Sequence, residues 1–305
     1  MVVVTGGAGF IGRAVVRRLL EMRREVLVVD TEAPEPAPGA AWLPLDIRDP
    51  RLGAELAGRR AQAVVHLAAR ATVTAYGPAA VEAEAVNVGG TVAVLEACRI
   101  AEVPRFVLAS SAAVYGDAGE AAIPETHPPA PRSAYGASKV AAEAYAGAYA
   151  RAAGLGVTVI RPATVYGPGQ RPALEGAACA AFAYALARGA QGTIFGDGLQ
   201  TRDYVFVEDV ARAFAAAATA PHGGGTYNVG TGARVSILDL YRGLAEAAGV
   251  APALAFGPER PGDIRHSLLD PAGIRADLGW TAETPLAVGL QRTVAWVRAV
   301  AARGA

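Results

Sequence analysis

Val2-Val3-Val4-Thr5-Gly6-Gly7-Ala8-Gly9-Phe10-Ile11-Gly12 follows Met1. The valine run reads as a buried strand, and glycines at 6, 9 and 12 punctuate its end. Gly6 permits a tight turn. Gly9 lets the backbone approach a pyrophosphate, and Gly12 lets a helix pack closely on the strand. A glycine pattern alone is weak evidence. Here it follows the first strand, opens a helix, and is followed 18 residues after Gly12 by Asp30 at the end of the next apolar run. The whole arrangement predicts a dinucleotide site.

Asp30 is placed to accept hydrogen bonds from adenosine ribose hydroxyls. The stretch after it, Thr31-Glu32-Ala33-Pro34-Glu35-Pro36, carries acids and no base, so a 2′-phosphate would be repelled. NAD is therefore favoured over NADP as cofactor. Asp46, in Leu45-Asp46-Ile47-Arg48-Asp49, ends a further strand and has two competing uses: reaching the adenine amino group, or capping the next helix.

Outward from this turn, short apolar runs alternate with helical periodicity. Residues 1–5, 25–30, 63–67, 105–110 and 156–160 read as buried parallel strands, and 11–22, 78–100 and 133–153 as helices. Repeated strand–helix–strand units predict an α/β fold, a doubly wound parallel sheet of Rossmann type with ligands at the strands' carboxyl ends. Composition shifts after Arg161. Shorter strands near Ile194 and Tyr204 and helices at 209–220, 236–248 and 285–302 suggest a smaller C-terminal substrate lobe. The domain reading is 1–161 for the NAD-binding unit and 162–305 mainly for the substrate lobe, some segments returning to the first unit. Residues 32–39, rich in Pro and Ala, read as a solvent loop.

Composition narrows the function. The chain has 305 residues, 52% hydrophobic and 18% charged, with formal net charge zero. That supports a large core and carries no basic footprint for nucleic acid. Cys98 and Cys179 stand alone without metal-ligand or disulfide spacing, which fits a reducing compartment. The four histidines are scattered, and His66, inside an apolar strand, reads as a satisfied core residue; no metal is expected. No basic leader precedes the first strand, and the alanine-rich stretches around Phe182 and Phe214 are broken by Arg188 and Arg212. A soluble cytoplasmic protein without a membrane partner is expected.

One lysine, Lys139, carries the chemistry. The other 27 of the 28 basic residues are arginines. Lys139 sits in Ser133-Ala134-Tyr135-Gly136-Ala137-Ser138-Lys139, where positions i and i+4 share one helix face. An ammonium is a compact charge that can approach a phenol and a ribose edge together, which a wide planar guanidinium cannot. The expectation is that Lys139 lowers the Tyr135 pKa and makes it a general base.

Gly6-Gly7-Ala8-Gly9-Phe10-Ile11-Gly12, His66-Leu67-Ala68-Ala69, Ser110-Ser111-Ala112-Ala113-Val114-Tyr115-Gly116 and Tyr135-Gly136-Ala137-Ser138-Lys139 together resemble the extended short-chain dehydrogenase/reductases, and most closely the nucleotide-sugar 4-epimerases. The likeness continues through Gly196-Asp197-Gly198, Thr201-Arg202-Asp203-Tyr204, Tyr227-Asn228-Val229-Gly230 and Arg260-Pro261-Gly262-Asp263. It implies a UDP-sugar substrate oxidised transiently at C4, turned over as the 4-keto sugar and re-reduced, with NAD kept in place. By the same resemblance Tyr135 takes the O4 proton, Ser111 hydrogen-bonds O4 and relays it, and Lys139 holds the nicotinamide ribose. Gly6, Gly9, Phe10, Ile11, Gly12, Asp30, Asp46, Ile47, Leu67, Ala68, Ala69, Asn87 and Pro162 are implied on the cofactor side. Arg202 and Arg260 would clamp the diphosphate, with Asp263 beside them, and Phe195 would lie near the uracil. The resemblance also implies a homodimer through the helices around 88–100 and 133–153.

Related dehydratases and decarboxylases carry acids immediately after the serine or threonine. Ala112 and Ala113 stand there, which favours epimerisation over 4,6-dehydration. For the sugar, Thr164 stands where UDP-glucose epimerases usually have asparagine. Thr164-Val165-Tyr166-Gly167-Pro168-Gly169-Gln170-Arg171-Pro172 resembles the matching stretch of UDP-glucuronate 4-epimerases, where the arginine matching Arg171 holds the C6 carboxylate. UDP-glucuronate/UDP-galacturonate is the leading expectation. Small Ser267 keeps UDP-GlcNAc open, and UDP-glucose remains an alternative. A same-fold oxidoreductase that releases its reduced product, and a non-catalytic NAD-sensing protein, are the competing classes.

Overall fold

The computed structural model describes residues 1–35, 37, 39–71, 78–172, 177–221, 224–259 and 263–303. The strands of the first half are β1 (Val2–Thr5), β2 (Val26–Asp30), β3 (Ala40–Pro44), β4 (Ala63–His66), β5 (Arg105–Ala109) and β6 (Gly156–Pro162). Those of the second half are β7 (Thr164–Tyr166), β8 (Gly192–Phe195), β9 (Thr201–Arg202), β10 (Tyr204–Phe206), β11 (Thr226–Val229), β12 (Val235–Ser236), β13 (Leu254–Gly257) and β14 (His266–Ser267). The helices are α1 (Phe10–Glu21), α2 (Leu52–Gly58), α3 (Pro78–Glu84), α4 (Gly90–Ile100), α5 (Ala134–Ala153), α6 (Ala178–Ala187), α7 (Val207–Thr219), α8 (Ile237–Ala248), α9 (Ala272–Leu278) and α10 (Leu286–Arg303).

Seven strands form one parallel sheet in the order β11-β6-β5-β4-β1-β2-β3. Alternation along β1 shows how both faces are covered. Val2 and Val4 enter one apolar cluster with α1 and α7, while Val3 enters another with α2, α4 and α5. A strand buried on both faces has no polar alternation, which is why these segments read as continuous apolar runs. The doubly wound class expected from the sequence is the fold observed. Reversal of strand order between β1 and β4 places the crevice at their carboxyl ends.

Beyond β6 the chain builds small parallel or mixed pairings, β10 with β7, β13 with β8, and β12-β9-β14. Helices α6, α8 and α10 enclose a third apolar cluster around Phe182, Tyr241 and Leu290. The chain also returns to the main sheet: β11 pairs with β6, and Val210 and Phe214 of α7 lie in the same cluster as Val15 and Leu19 of α1.

Several elements depart from expectation. The helix expected over 78–100 is interrupted by a π turn at Ala85–Gly89, which lets Asn87 turn inward. Strand β3 lies inside a region that carries no alternation, because it is an edge strand whose residues are all at least partly exposed. Short α2 and alanine-rich α6 also fall outside the expected helices. Among the described residues no helix is long and apolar enough to cross a membrane.

Candidate active site

The glycine-rich turn is built for close approach. Gly6 has φ of +71°, and a Cβ there would lie 2.6 Å from the Ala68 nitrogen. A Cβ on Gly12 would meet the Gly6 carbonyl oxygen at 2.1 Å and Gly7 Cα at 2.7 Å, so α1 seats directly on the turn. Helix α1 begins after Gly9 with no side-chain cap and no acid in its first turn. Its first N–H groups are therefore left for an anion. Phe10 and Ile11 are half-buried at the same end. These features fit a dinucleotide pyrophosphate.

Asp30 lies across the turn. Its Oδ2 accepts from Ala8 N at 2.9 Å and its Oδ1 from Glu32 N at 3.1 Å, which fixes the carboxylate at the end of β2. Lone pairs remain for ribose hydroxyls. Arg13, one turn into α1, pairs with Glu35. A base therefore does reach the loop after β2, and an acid of that loop neutralises it. Asp46 receives Arg48 N at 2.8 Å and a two-point guanidinium contact at 2.9 and 2.7 Å. The Arg48 hydrogen bonds hold its carboxyl below the ordinary aspartate range. Helix α2 starts only at Leu52, so the capping use of Asp46 is ruled out, and Arg48 competes for the carboxylate with any adenine amino group. Ile47 is buried against Gly90 of α4.

Tyr135, Lys139 and Ser111 meet where β5 ends and α5 begins. Ser133 caps α5, accepting from Gly136 N at 3.1 Å, and sets Tyr135 in the first turn. Ser111 caps the short 3-10 turn Ala112–Val114, its Oγ accepting from Ala113 N at 3.1 Å. Lys139 is 5% exposed and donates Nζ to the Ala109 carbonyl at 2.7 Å. Burial pulls its pKa down to about 8, with the Glu143 carboxylate opposing that fall. Burial pushes the Tyr135 phenol up, and a hydrogen bond with Ser111 opposes it. The Lys139 ammonium stands 5.7 Å from the ring centroid and donates to a backbone carbonyl, so the direct hydrogen bond to the phenol comes from Ser111.

Asn87 is 2% exposed and fully engaged. Its Oδ1 accepts from Arg70 N at 2.7 Å, and its Nδ2 donates to Arg70 O and to Ser138 Oγ, both at 3.0 Å. With both amide hydrogens used, it shapes the loop after Leu67-Ala68-Ala69 and offers no free donor to a cofactor. His66 is a satisfied core residue. Thr91 Oγ1 donates to Asn87 O at 2.6 Å, so it accepts from His66 Nε2 at 3.0 Å, leaving Nδ1 to accept from Thr5 Oγ1 at 2.7 Å. Burial, reinforced by the Lys139 charge, drives the imidazole pKa down to about 3, so it is neutral.

The second-half residues lie on or beside the small strand pairings beyond β6. Thr164 opens β7 and donates its N–H to Asp203 O at 2.9 Å; Pro162 ends β6 opposite Val229. Arg202, 18% exposed, donates to Asp263 Oδ1 at 2.8 Å, and Ser267 is its register partner on β14. Asp263 thus serves Arg202 as a counter-ion. Phe195 and Asp263 line one cleft with Gln200. Gln200 donates Nε2 to Phe195 O at 2.9 Å, and its buried Oε1 has no partner among the described residues, leaving an acceptor for a donor on a bound molecule. Arg171 is exposed beyond β7, and Arg260 lies outside the described residues. Sequence reasoning missed Arg13, Gln200 and the buried pair Arg161–Glu143. A periodic signal existed only for Glu143, four residues after Lys139. Among the described residues no group of three or more His, Cys, Asp or Glu could hold a metal ion.

Residues 2–230 match the family described as NAD dependent epimerase/dehydratase family. A UDP-glucose 4-epimerase of Mycolicibacterium smegmatis is 39% identical over 97% of both chains. The crystal structure of the Thermus thermophilus UDP-glucose 4-epimerase in complex with NAD superposes with a TM-score of 0.91 at 38% identity, covering 97% of this chain and 98% of that one. A structure of MoeE5 in complex with UDP-glucuronic acid and NAD gives a TM-score of 0.91 at 37% identity, covering 98% and 99%; the same protein has been solved with UDP-glucose and NAD. With a dinucleotide turn, a matching fold and a family match over most of its length, this chain is an NAD-using enzyme and belongs to the NAD dependent epimerase/dehydratase family.

Proposed function

We propose that this enzyme is a UDP-sugar 4-epimerase in which Tyr135 moves the O4 proton, Ser111 orients O4 and Lys139 steadies the nicotinamide ribose. The observation that carries the reading is the convergence of these three side chains at the end of β5, on the carboxyl edge of the sheet whose first strand leads into the glycine-rich turn. When bound, NAD supplies a reversible hydride acceptor for the sugar C4. Tyr135 receives the O4 proton, and its hydrogen bond with Ser111 stabilises the phenolate that this requires. Under this reading Arg202 holds the diphosphate while the hexose turns, so binding energy remote from C4 supports both half-reactions. Ala112 and Ala113, half-buried after Ser111, provide no acid for loss of the C6 hydroxyl. That favours epimerisation over dehydration. The cofactor unit is read as 1–161, with β11 and α7 added to it by their packing.

UDP-glucose is the first substrate to test, because two of the similar proteins are UDP-glucose 4-epimerases. A UDP-glucuronate reading is favoured by Arg171, exposed on the loop after β7 and able to pair with a C6 carboxylate. Separate incubations with UDP-glucose, UDP-glucuronate and UDP-GlcNAc, with products read by NMR, test the activity. Under the uronate reading Arg171→Ala should lower UDP-glucuronate turnover roughly tenfold to hundredfold. It should also release UDP-4-keto-pentose, since a β-keto acid no longer held in place loses CO2, and it should leave UDP-glucose turnover near the parent's. Equal losses on both sugars would return the assignment to UDP-glucose or UDP-GlcNAc.

Asp30→Ala should weaken NAD binding and narrow the preference over NADP. The substitution removes the ribose acceptor, its repulsion of a 2′-phosphate, and the anchor on Ala8 N. The weakening should be roughly 1.5–3 kcal/mol, as for a charged hydrogen-bond partner. Calorimetric titration of apoprotein with each nucleotide measures it; an unchanged preference would remove Asp30 from the site.

A further inference from the structure

Glu143 and Arg161 take no part in the chemistry above, yet they form a nearly buried ion pair beside it, with side chains 12% and 7% exposed. Tyr135, Lys139 and Glu143 follow at four-residue spacing, so they make one stripe along α5. That stripe addresses three consecutive residues at the end of β5. Lys139 donates to Ala109 O, Ser110 Oγ donates to Glu143 Oε1, and Ser111 hydrogen-bonds the Tyr135 side chain. Arg161, on β6, grips Glu143 at two points, Nε to Oε1 at 2.9 Å and Nη2 to Oε2 at 2.6 Å. Its Nη1 donates to Tyr115 Oη at 2.7 Å and to Glu125 O at 3.2 Å, and Tyr115 Oη donates to Asn228 Oδ1 at 2.7 Å. One guanidinium thus joins α5, β6, β11 and the 3-10 turn that Ser111 caps.

We propose that Glu143 is a positioning residue: clamped by Arg161 and Ser110, it fixes the register of α5 on Ala109, Ser110 and Ser111, and so the spacing of Ser111, Tyr135 and Lys139. This rests on the reading of those three as the reacting set. A helix built largely of alanine has few large side chains to key its position on the sheet, and a two-point charged contact supplies a directional lock. The carboxylate also faces a buried ammonium. Around Lys139 stand Tyr135 and Glu143 on α5, neutral His66 on β4, Ser110 and Ser111 after β5, and Arg161 on β6. Arg161 is committed to Glu143, and the Glu143 carboxylate is the charge that opposes the burial penalty on Lys139.

Lys139 is the only lysine in the chain, so protein labelled with ε-13C-lysine gives a single side-chain resonance that reports its titration. In holoenzyme, Glu143→Gln is expected to move that midpoint down by roughly one pH unit against the parent. It should also lower kcat roughly tenfold to hundredfold at nearly constant KM, with NAD retained. Removing one partner of a buried pair can unfold a protein. Ser110→Ala therefore serves as the second variant: it keeps the ion pair and removes only the strand contact, with an expected fall in kcat of roughly threefold to tenfold at constant KM. Parent-like kcat with an unmoved lysine resonance overturns the proposal, and so does a loss of thermal stability alone. If the parent turns over no UDP-sugar, the activity reading fails separately, and the lysine midpoint still decides whether Glu143 addresses Lys139.

Discussion

Replacing Tyr135 with phenylalanine is expected to lower kcat on the preferred UDP-sugar by roughly three orders of magnitude while leaving NAD bound. The phenyl ring keeps its place in the first turn of α5 and beneath the Lys139 ammonium, so packing changes little. What disappears is the hydroxyl that exchanges a proton with O4 and hydrogen-bonds Ser111. Loss of one such bond costs about 1 kcal/mol of stability, far less than the catalytic effect. Burial raises the Tyr135 pKa, so the phenolate is scarce at neutral pH and the parent's kcat/KM should rise with pH on the acid side. Ser111→Ala removes the hydrogen bond that lowers that pKa, so the acid limb should move to higher pH. Steady-state rates across pH, with bound nucleotide assayed after denaturation, check both effects. More than about a tenth of parental activity in Tyr135→Phe would take the proton step away from this residue.

How much of this was legible follows from the range over which each feature is specified. The glycine-rich turn and Tyr135–Lys139 are local patterns, each complete within a dozen residues, and both lie where the sequence reading puts them. The inner strands were legible because burial on both faces leaves no polar residue to break the run, as in β1 and β4. Edge strand β3 had no such constraint. The π turn at Asn87 could not be read from periodicity, because its side chain bonds Arg70 and Ser138, which other segments bring to it. Arg13 and Glu35 lie 22 positions apart and meet only because α1 and the loop after β2 share the top of the sheet. The competing use of Asp46 as a helix cap failed for a local reason: the turn Asp46–Asp49 ends before α2 begins, and Arg48 occupies the carboxylate instead.

Lys139→Arg is expected to lower kcat by roughly two orders of magnitude or more, although it conserves charge. The ammonium occupies a space 5% exposed, with Ala109 O at 2.7 Å and Glu143 already held by Arg161. A guanidinium is wider and planar, remains charged at any working pH, and cannot present a point charge to a ribose edge from that position. Lys139→Met separates function from stability. Burial holds the lysine at about 8 against 10.5 for a free side chain, so the folded chain binds its proton less tightly than the unfolded one. The resulting penalty is fully present below about pH 8 and fades as pH rises towards 10.5. Lys139→Met, inactive, carries no such group, so its stability relative to the parent should be higher at pH 7 than at pH 10 by about 2–3 kcal/mol, whatever the loss of the bond to Ala109 O costs. Urea titrations at the two pH values measure it. A lysine this costly to bury, in a chain that uses arginine at every other basic position, is explained by the reaction it serves. Near-normal turnover in Lys139→Arg, or a methionine variant whose stability relative to the parent is the same at the two pH values, would break that explanation.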